Sequence, residues 1–389
     1  MAKVVIGMSG GVDSSVAAYL LKQKGHEVIG LFMKNWDDAS VNLTSACTWE
    51  DDLMFDEMVS KKLDIPLHTV DLTKQYRQRV VDYMFAEYER GRTPNPDVLC
   101  NREIKFDIFI DECLKLGAEY VATGHYCRKE TVVIDGKETH RLLAGADPNK
   151  DQSYFLCQLS QNQISKALFP IGELLKPEVR KIADEQGLAT ATRKDSQGIC
   201  FVGKVDLPTF LQQKLIAKKG DIIEISESFY EGKKTTEDLK ELSKAYIYRR
   251  EDGKVLTQHR GAHFYTIGQR KGLNIGGTGK AMYVIAIDVH ENIVFVGRGD
   301  DHPGLYRRAL FIAKEESHWV RPDLSLDIEH SKDFLVRIRY RQPLQNATVI
   351  SKPEGLYIVF EKPQRGIAPG QFAAWYDQGE LIGSGVINN

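Results

Sequence analysis

The chain opens on a short apolar run, Val4 to Met8, rich in β-branched residues and bounded by small polar ones. That is the pattern of a strand buried on both faces. Val16, Ala17, Leu20 and Leu21 then recur at helical spacing until Gly25 stops them, with Asp13, Ser14 and Ser15 as candidate caps. The same reading predicts a buried strand over Val28 to Met33, a helix over Trp49 to Leu63 and a third strand over Leu67 to Leu72. A long amphipathic helix over Gln75 to Gly91, another over about Asn101 to Leu116 and a strand over Tyr120 to Thr123 follow. This rhythm predicts an α/β fold, a doubly wound, mostly parallel sheet with helices on both faces, whose ligands sit beyond the carboxyl ends of the strands.

After Tyr126 the strand rhythm loosens. Helices are predicted near Ser160 to Leu168 and Lys176 to Gly187, then one over about Leu207 to Ala217, after which strand-like runs and glycine turns dominate. The expected division is 1–205 for the parallel-sheet domain, 206–296 for a small central β-rich domain and 297–389 for a second, barrel-like one. Residues 228–250 read as a charged insert. In Phe334 to Arg341, strand alternation places Arg337, Arg339 and Arg341 on one face, a cationic ladder suited to a nucleic-acid backbone.

Composition narrows the class. A chain of 389 residues is too long for one ordinary core. No apolar run approaches the roughly 20 residues of a membrane helix, and the first residues enter a strand directly, so a cytoplasmic protein is expected. Six cysteines without a CxxC pair argue against a zinc site and a disulfide framework. The formal charge of −2 excludes a globally basic nucleic-acid binder and leaves room for local basic patches.

Between the first strand and helix lies SGGVDS, where Gly10 and Gly11 allow a tight turn that aims bare amides outward, an anion site at a helix N-terminus. The Gly-Lys-Ser/Thr ending of a P-loop and the three spaced glycines of the dinucleotide fingerprint are both missing. Candidate nucleotide contacts are Gly7, Met8, Ser9, Gly10, Gly11, Val12, Asp13 and Ser14, with Met33 and Gly124 at neighbouring strand ends. In TPNPDVLCN two prolines flank Asn95 and predict a stiff loop, leaving Cys100 near the N-terminus of the next helix, where a thiolate is favoured. Asp97 is either a cap of this turn or a polar group reaching the chemistry. Lys150 and Gln152, in the polar loop DPNKDQSY, either meet a phosphate or base or are solvated. RKDSQGICFVG carries Cys200 between two glycines that permit movement, and Gln258 to Gly277 mixes Arg, Lys, aromatics and glycine in a way that suits RNA.

The first loop resembles the SGGxDSS signature of the PP-loop ATP pyrophosphatases, which implies ATP cleavage between the α- and β-phosphates. Together, GMSGGVDSS, TPNPDVLCN, ATGHY, KDQSYFL, DSQGICFVG and TIGQRKGL resemble the tRNA-specific 2-thiouridylases over nearly the whole length. The resemblance implies an enzyme that uses ATP to adenylate the 2-oxygen of the wobble uridine (position 34) of tRNA and replaces it with sulfur. It implies that Cys200 carries a persulfide which Cys100 attacks, leaving a Cys100–Cys200 disulfide, with Asp97 also in the catalytic set. Asn95, Pro96 and Asp97 would touch the target base, and His125, Lys150, Asp151, Gln152, Arg339, Tyr340 and Gln371 the tRNA. Expected partners are tRNA and a persulfide donor, either a cysteine desulfurase or a relay protein, with no membrane. Asp13 is the candidate for organising Mg²⁺ on the phosphates. An iron–sulfur cluster on Asp97, Cys100 and Cys200 is a competing expectation, not favoured over the persulfide. An amide-forming PP-loop synthetase and a noncatalytic tRNA binder are the rival classes; the paired cysteines count against the first and the intact SGGVDSS against the second.

Overall fold

The computed structural model describes residues 1–36, 48–195, 207–232, 236–276 and 279–388. Its first part is a five-stranded, wholly parallel sheet in the order β3-β2-β1-β4-β7, formed by β1 (Lys3–Met8), β2 (Glu27–Lys34), β3 (Leu67–Asp71), β4 (Tyr120–Ala122) and, far along the chain, β7 (Ala167–Leu168). Strand alternation explains the double burial of β1. Val5 packs with Ile29, Leu31, Met33 and the helices of residues 73–115, while Val4, Ile6 and Met8 pack with Val12, Val16, Val59 and Val179 on the other face. The expected α/β layering is therefore observed, with α1 (Val12–Gln23) and α2 (Thr48–Leu63) where the pattern places them.

Three local readings change. The N-cap of α1 is Gly11, with no side-chain cap; Ser14 and Ser15 instead donate their hydroxyls back to the Gly11 carbonyl at 3.1 and 2.8 Å. The stiff loop before Cys100 ends sooner than the prolines suggest. Asn95 caps a helical turn that starts at Pro96 and runs on through Cys100, because proline is compatible with the first helical position, where no amide is needed. Cys100 thus stands past the first turn, where the helix-dipole effect has largely faded, and it is fully buried. The arginine ladder is also absent. The strand Ser331–Arg337 stops at Arg337, which is turned inward at 7% exposure, while Arg341 lies exposed beyond a turn.

Contrary to the expectation of a loosened strand rhythm, the stretch after Tyr126 holds a hairpin, β5 (Cys127–Ile134) and β6 (Lys137–Ala144), turned at Asp135 and Gly136. It leaves the parallel sheet altogether. The second sheet, ordered β10-β11-β8-β9, comprises β8 (Gly220–Glu224), β9 (Lys254–His259), β10 (Met282–Asp288) and β11 (Ile293–Arg298). The third contains β12 (Tyr306–Ala313), β13 (Ser317–Trp319), β14 (Ser331–Arg337), β15 (Gln345–Lys352), β16 (Gly355–Arg365), β17 (Phe372–Asp377) and β18 (Glu380–Val386). The hairpin is added to its edge, with Leu143 opposite Glu380 and the Ala144 amide donating to Gly379 O at 2.8 Å. Glu380 is buried and held by Arg141 and Arg321. Asn388 donates to Phe311 O at 2.9 Å, bringing the end of this sheet beside its first strand. Two β-rich parts thus follow the α/β part, as expected. Among the described residues no helix is long and apolar enough to cross a membrane.

Candidate functional site

The first loop forms at the carboxyl end of β1. Gly10 has φ +65°, and a Cβ there would meet the Asp52 backbone at 2.5 Å, so helix α2 lies directly across the turn. Gly124, at the end of β4, approaches as closely from the other side: a Cβ would come within 2.8 Å of the Ser14 amide. Both positions exclude side chains for steric reasons. Gly7, Met8 and Val12 are buried beneath the turn, Ser9 is exposed with its Oγ 3.1 Å from that of Ser14, and Met33 is a buried residue at the end of β2.

Charges that the sequence reading did not assemble surround this loop. Lys176, at the start of the helix Lys176–Glu185, places Nζ 2.7 Å from Asp13 Oδ1 and 2.8 Å from Asp195 Oδ1. Lys150 and Arg180 also pair with Asp195, at 2.6 and 2.7 Å. Arg193 donates to Gly10 O at 2.7 Å and pairs with Asp52 at 2.9 Å. Tyr126 donates its hydroxyl to Asp13 Oδ1 at 2.7 Å. Burial acts to raise the Asp195 pKa, yet the hydrogen bonds from Lys150 and Lys176 outweigh it and hold this carboxyl below its usual range. Four cations thus stand around the turn expected to bind an anion.

The Gly10 amide, bare in the sequence reading, donates to Asp56 Oδ2 at 2.9 Å. Asp56 projects from α2 with no exposed surface, and its Oδ1 is buried without a partner. Burial pushes its pKa up to about 8, with the Gly10 hydrogen bond acting in the opposite direction. Asp56, Lys176, Arg180 and Arg193 were all missed. Their sequence neighbourhoods carry no motif, and only Arg193 falls within a quoted stretch.

Of the residues expected at the base and the tRNA, Asn95 and Gln371 meet. Gln371 Nε2 donates to the carbonyls of Thr93 and Pro94 at 2.8 and 3.1 Å, and Asn95 Nδ2 reaches its Oε1 at 3.4 Å. The C-terminal sheet therefore holds the turn containing Asn95, Pro96 and the half-buried Asp97. His125 is buried among Phe106 and Phe169, with Nδ1 2.8 Å from Thr123 Oγ1. Burial, aided by Lys105, depresses its pKa well below the ordinary value, so it is a neutral imidazole. Gln152 braces Tyr126 through two hydrogen bonds with its backbone. Asp151 is 8% exposed and clamped by Arg337, whose Nη2 lies 2.5 Å from its Oδ2 and 2.7 Å from the Tyr376 hydroxyl. Tyr340 packs against Phe155 with ring centroids 4.3 Å apart, and Arg339 donates to Gly366 O.

Of the expected cysteine pair, Cys100 is among the described residues and is buried. Cys200 lies outside the described residues, so the three-residue cluster set cannot be assembled; among the described residues no group of three or more metal-ligating side chains is found. For Mg²⁺ the donor chemistry fits at Asp13, a carboxylate at the phosphate-binding turn that Lys176 already orients.

Three family models match the chain: a tRNA methyl transferase HUP domain over residues 2–204, a tRNA methyl transferase PRC-barrel domain over 233–298 and an aminomethyltransferase β-barrel domain over 310–387. Proteins named tRNA-specific 2-thiouridylase match at full length. Those of Christiangramia forsetii and Flavobacterium johnsoniae are 59% and 57% identical, covering 100% of both chains in each case. That of Pseudomonas paraeruginosa is 45% identical over 99% of this chain and 94% of its own. A 4-thiouridine synthetase–RNA complex with bound ATP matches at 16% identity and a TM-score of 0.32 over 55% of this chain and 50% of that one, too loose a likeness to bear on fold or chemistry.

Proposed function

Since the chain belongs to the tRNA-specific 2-thiouridylase family, we propose that it replaces the 2-oxygen of the wobble uridine (position 34) of tRNA with sulfur, using ATP and releasing AMP and pyrophosphate. The observation that carries this reading is the gathering of Lys150, Lys176, Arg180 and Arg193 around the Gly10 turn at the carboxyl end of β1. The Asn95–Asp97 turn, the proposed base contact, is held by Gln371, while the gathering at the Gly10 turn suits a triphosphate. Methyl transfer, the activity in the family-model description, has no use for such a turn.

In the proposed sequence the uridine 2-oxygen attacks the α-phosphorus and pyrophosphate leaves. The oxygen then departs as part of AMP when a sulfur nucleophile attacks carbon 2. Lys176 and Arg193 orient the phosphates, Asp13 positions Lys176, and a Mg²⁺ ion bound with Asp13 would add charge neutralisation. Cys200 delivers a persulfide; the Cys100 thiolate attacks its inner sulfur, forming the Cys100–Cys200 disulfide and releasing hydrosulfide. The two electrons in that hydrosulfide leave the cysteines oxidised, so an external thiol reductant is needed for each turnover. Because Cys100 is buried, the step also requires the helical turn from Pro96 to open toward the base. Asn95, Pro96 and Asp97 are the proposed base contacts, with His125, Lys150, Asp151, Gln152, Arg339, Tyr340 and Gln371 on the tRNA side.

Incubation with ATP, Mg²⁺, a persulfide donor and bulk tRNA is expected to yield 2-thiouridine by mass spectrometry. Cys100→Ser and Cys200→Ser should lose the product by at least 100-fold while retaining tRNA-dependent pyrophosphate release. Thiolation that persists in either variant, or activity that rises and falls with bound iron after anaerobic purification, would overturn the persulfide route.

A further inference from the structure

A second group of cations, sharing only Arg339 with the proposed tRNA contacts, lies on the C-terminal sheet. Between the end of β16 and the turn after β14 lies a cleft of about 510 Å³ lined by Arg339, Arg341, Lys362 and Arg365, with Gln342, Gln345, Gln364 and Tyr306. It contains no carboxylate. Among the described residues none of these four cations has an Asp or Glu within ion-pair distance, although most other Lys and Arg side chains near the loop at Gly10 are paired.

The arginines are held in place without being neutralised. Arg339 gives its Nη2 to the carbonyls of Gly366 and Ile267. Its pKa is lowered by burial first and then by the like charge of Arg365. Arg365 stacks over the Tyr283 ring at 4.5 Å, and its Nε and Nη2 groups are buried with no acceptor. Those two donors form one edge of the guanidinium, the fork that matches two oxygens of a phosphate. Leaving them unmatched is costly for a charged group. Lys362 and Arg341 are exposed at the mouth.

We propose that this cleft is a second, sequence-independent RNA site that takes phosphodiester groups of the tRNA backbone through Arg365, Lys362 and Arg341, next to the Arg339–Tyr340 contact. It rests on the reading of tRNA as substrate and extends the contact surface along β16. Four uncompensated cations repel one another, and a polyanion relieves that repulsion while shedding its own counterions. A lining with four cations and no carboxylate suits backbone contact. An acidic protein segment is the competing occupant. Continuity with the proposed tRNA contact favours RNA, because Arg339 lines the cleft and Tyr340 follows it in the chain, whereas the glutamine amides are spent on one another and on backbone carbonyls.

The test is the salt dependence of tRNA binding by the full-length protein. Lys362→Ala/Arg365→Ala should lower the slope of log K against log salt by roughly 1.4 to 1.8 and weaken binding on the order of 10-fold at about 0.15 M salt. Arg365→Lys should restore most of the slope if charge is what matters, and Lys362→Ala alone, at an exposed position, checks that folding is not the cause. A double variant that keeps the wild-type slope overturns the proposal. So does one that keeps the slope but loses sulfur transfer from a protein donor, which would make the occupant a protein. Failure of the wild-type protein to bind tRNA or form 2-thiouridine would instead overturn the functional reading on which the site rests.

Discussion

The ring of charges around Gly10 and the cleft beside Arg365 are both cationic, yet they are built on opposite principles. Around Gly10 each cation already has a carboxylate: Lys176 has Asp13 and Asp195, Lys150 and Arg180 share Asp195, and Arg193 has Asp52. A triphosphate entering there competes with the carboxylates for cations that are already held in place, so the geometry is set in advance. In the cleft nothing balances the guanidiniums, and a ligand gains affinity from charge itself. The first arrangement favours orientation of a small reactant. The second favours loose, salt-sensitive capture of a long one.

The largest test of this contrast is Lys176→Ala, which leaves Asp13 and Asp195 short of a shared partner in a partly buried setting. ATP-dependent pyrophosphate release should fall by on the order of 10² to 10³, as expected for removing one preorganised cation from the site of developing charge. The slope of tRNA binding against salt should not move, and a matching loss of slope would erase the distinction between the two regions.

The next test is pH. In the folded protein Asp56 keeps its proton to about pH 8, whereas in the unfolded chain it releases it near the ordinary value of 3.8. The folded state therefore holds the proton more tightly, and stability declines as pH rises from about 4 to about 8, then levels off. Asp56→Asn cannot ionise and should lack this decline. Its melting temperature should match the wild type near pH 4 and exceed it by roughly 2–6 °C above pH 8. Parallel pH profiles for the two proteins would show that Asp56 is not held protonated. The smallest expected effect is at Arg339→Ala: a few-fold weaker tRNA binding and a slope lower by about 0.7 to 0.9, with ATP affinity unchanged. An unchanged slope would remove Arg339 from the RNA surface.

What sequence reveals here follows from how local the cause is. The β1–α1 turn was legible because glycines, strand and helix are contiguous and their chemistry is fixed by backbone geometry. Asp56 and Lys176 were not, since each reaches Gly10 or Asp13 only after α2 and the helix Lys176–Glu185 pack against α1. The Arg337–Arg341 ladder failed for a related reason. Strand period 2 assigns faces only while pairing lasts, and β14 ends at Arg337, whose charge is drawn inward by Asp151 and Tyr376. The hairpin β5–β6 was legible but missed: Asp135-Gly136, both at positive φ between two paired runs, is a two-residue turn signal, and only the pairing with β18, more than two hundred residues away, had no local trace.

That last pairing sets a timetable for synthesis. The hairpin emerges from the ribosome with residues 127–144, but the strand that covers its edge, Glu380–Val386, is made more than two hundred residues later. At about 5–20 residues per second the nascent hairpin waits roughly 10–50 s with an open edge. An open strand edge is a template for stray pairing. A ribosome stalled anywhere in the second half of the message would leave a chain whose parallel sheet can already be folded while its hairpin stays unpaired. Such truncated products are expected to be sticky.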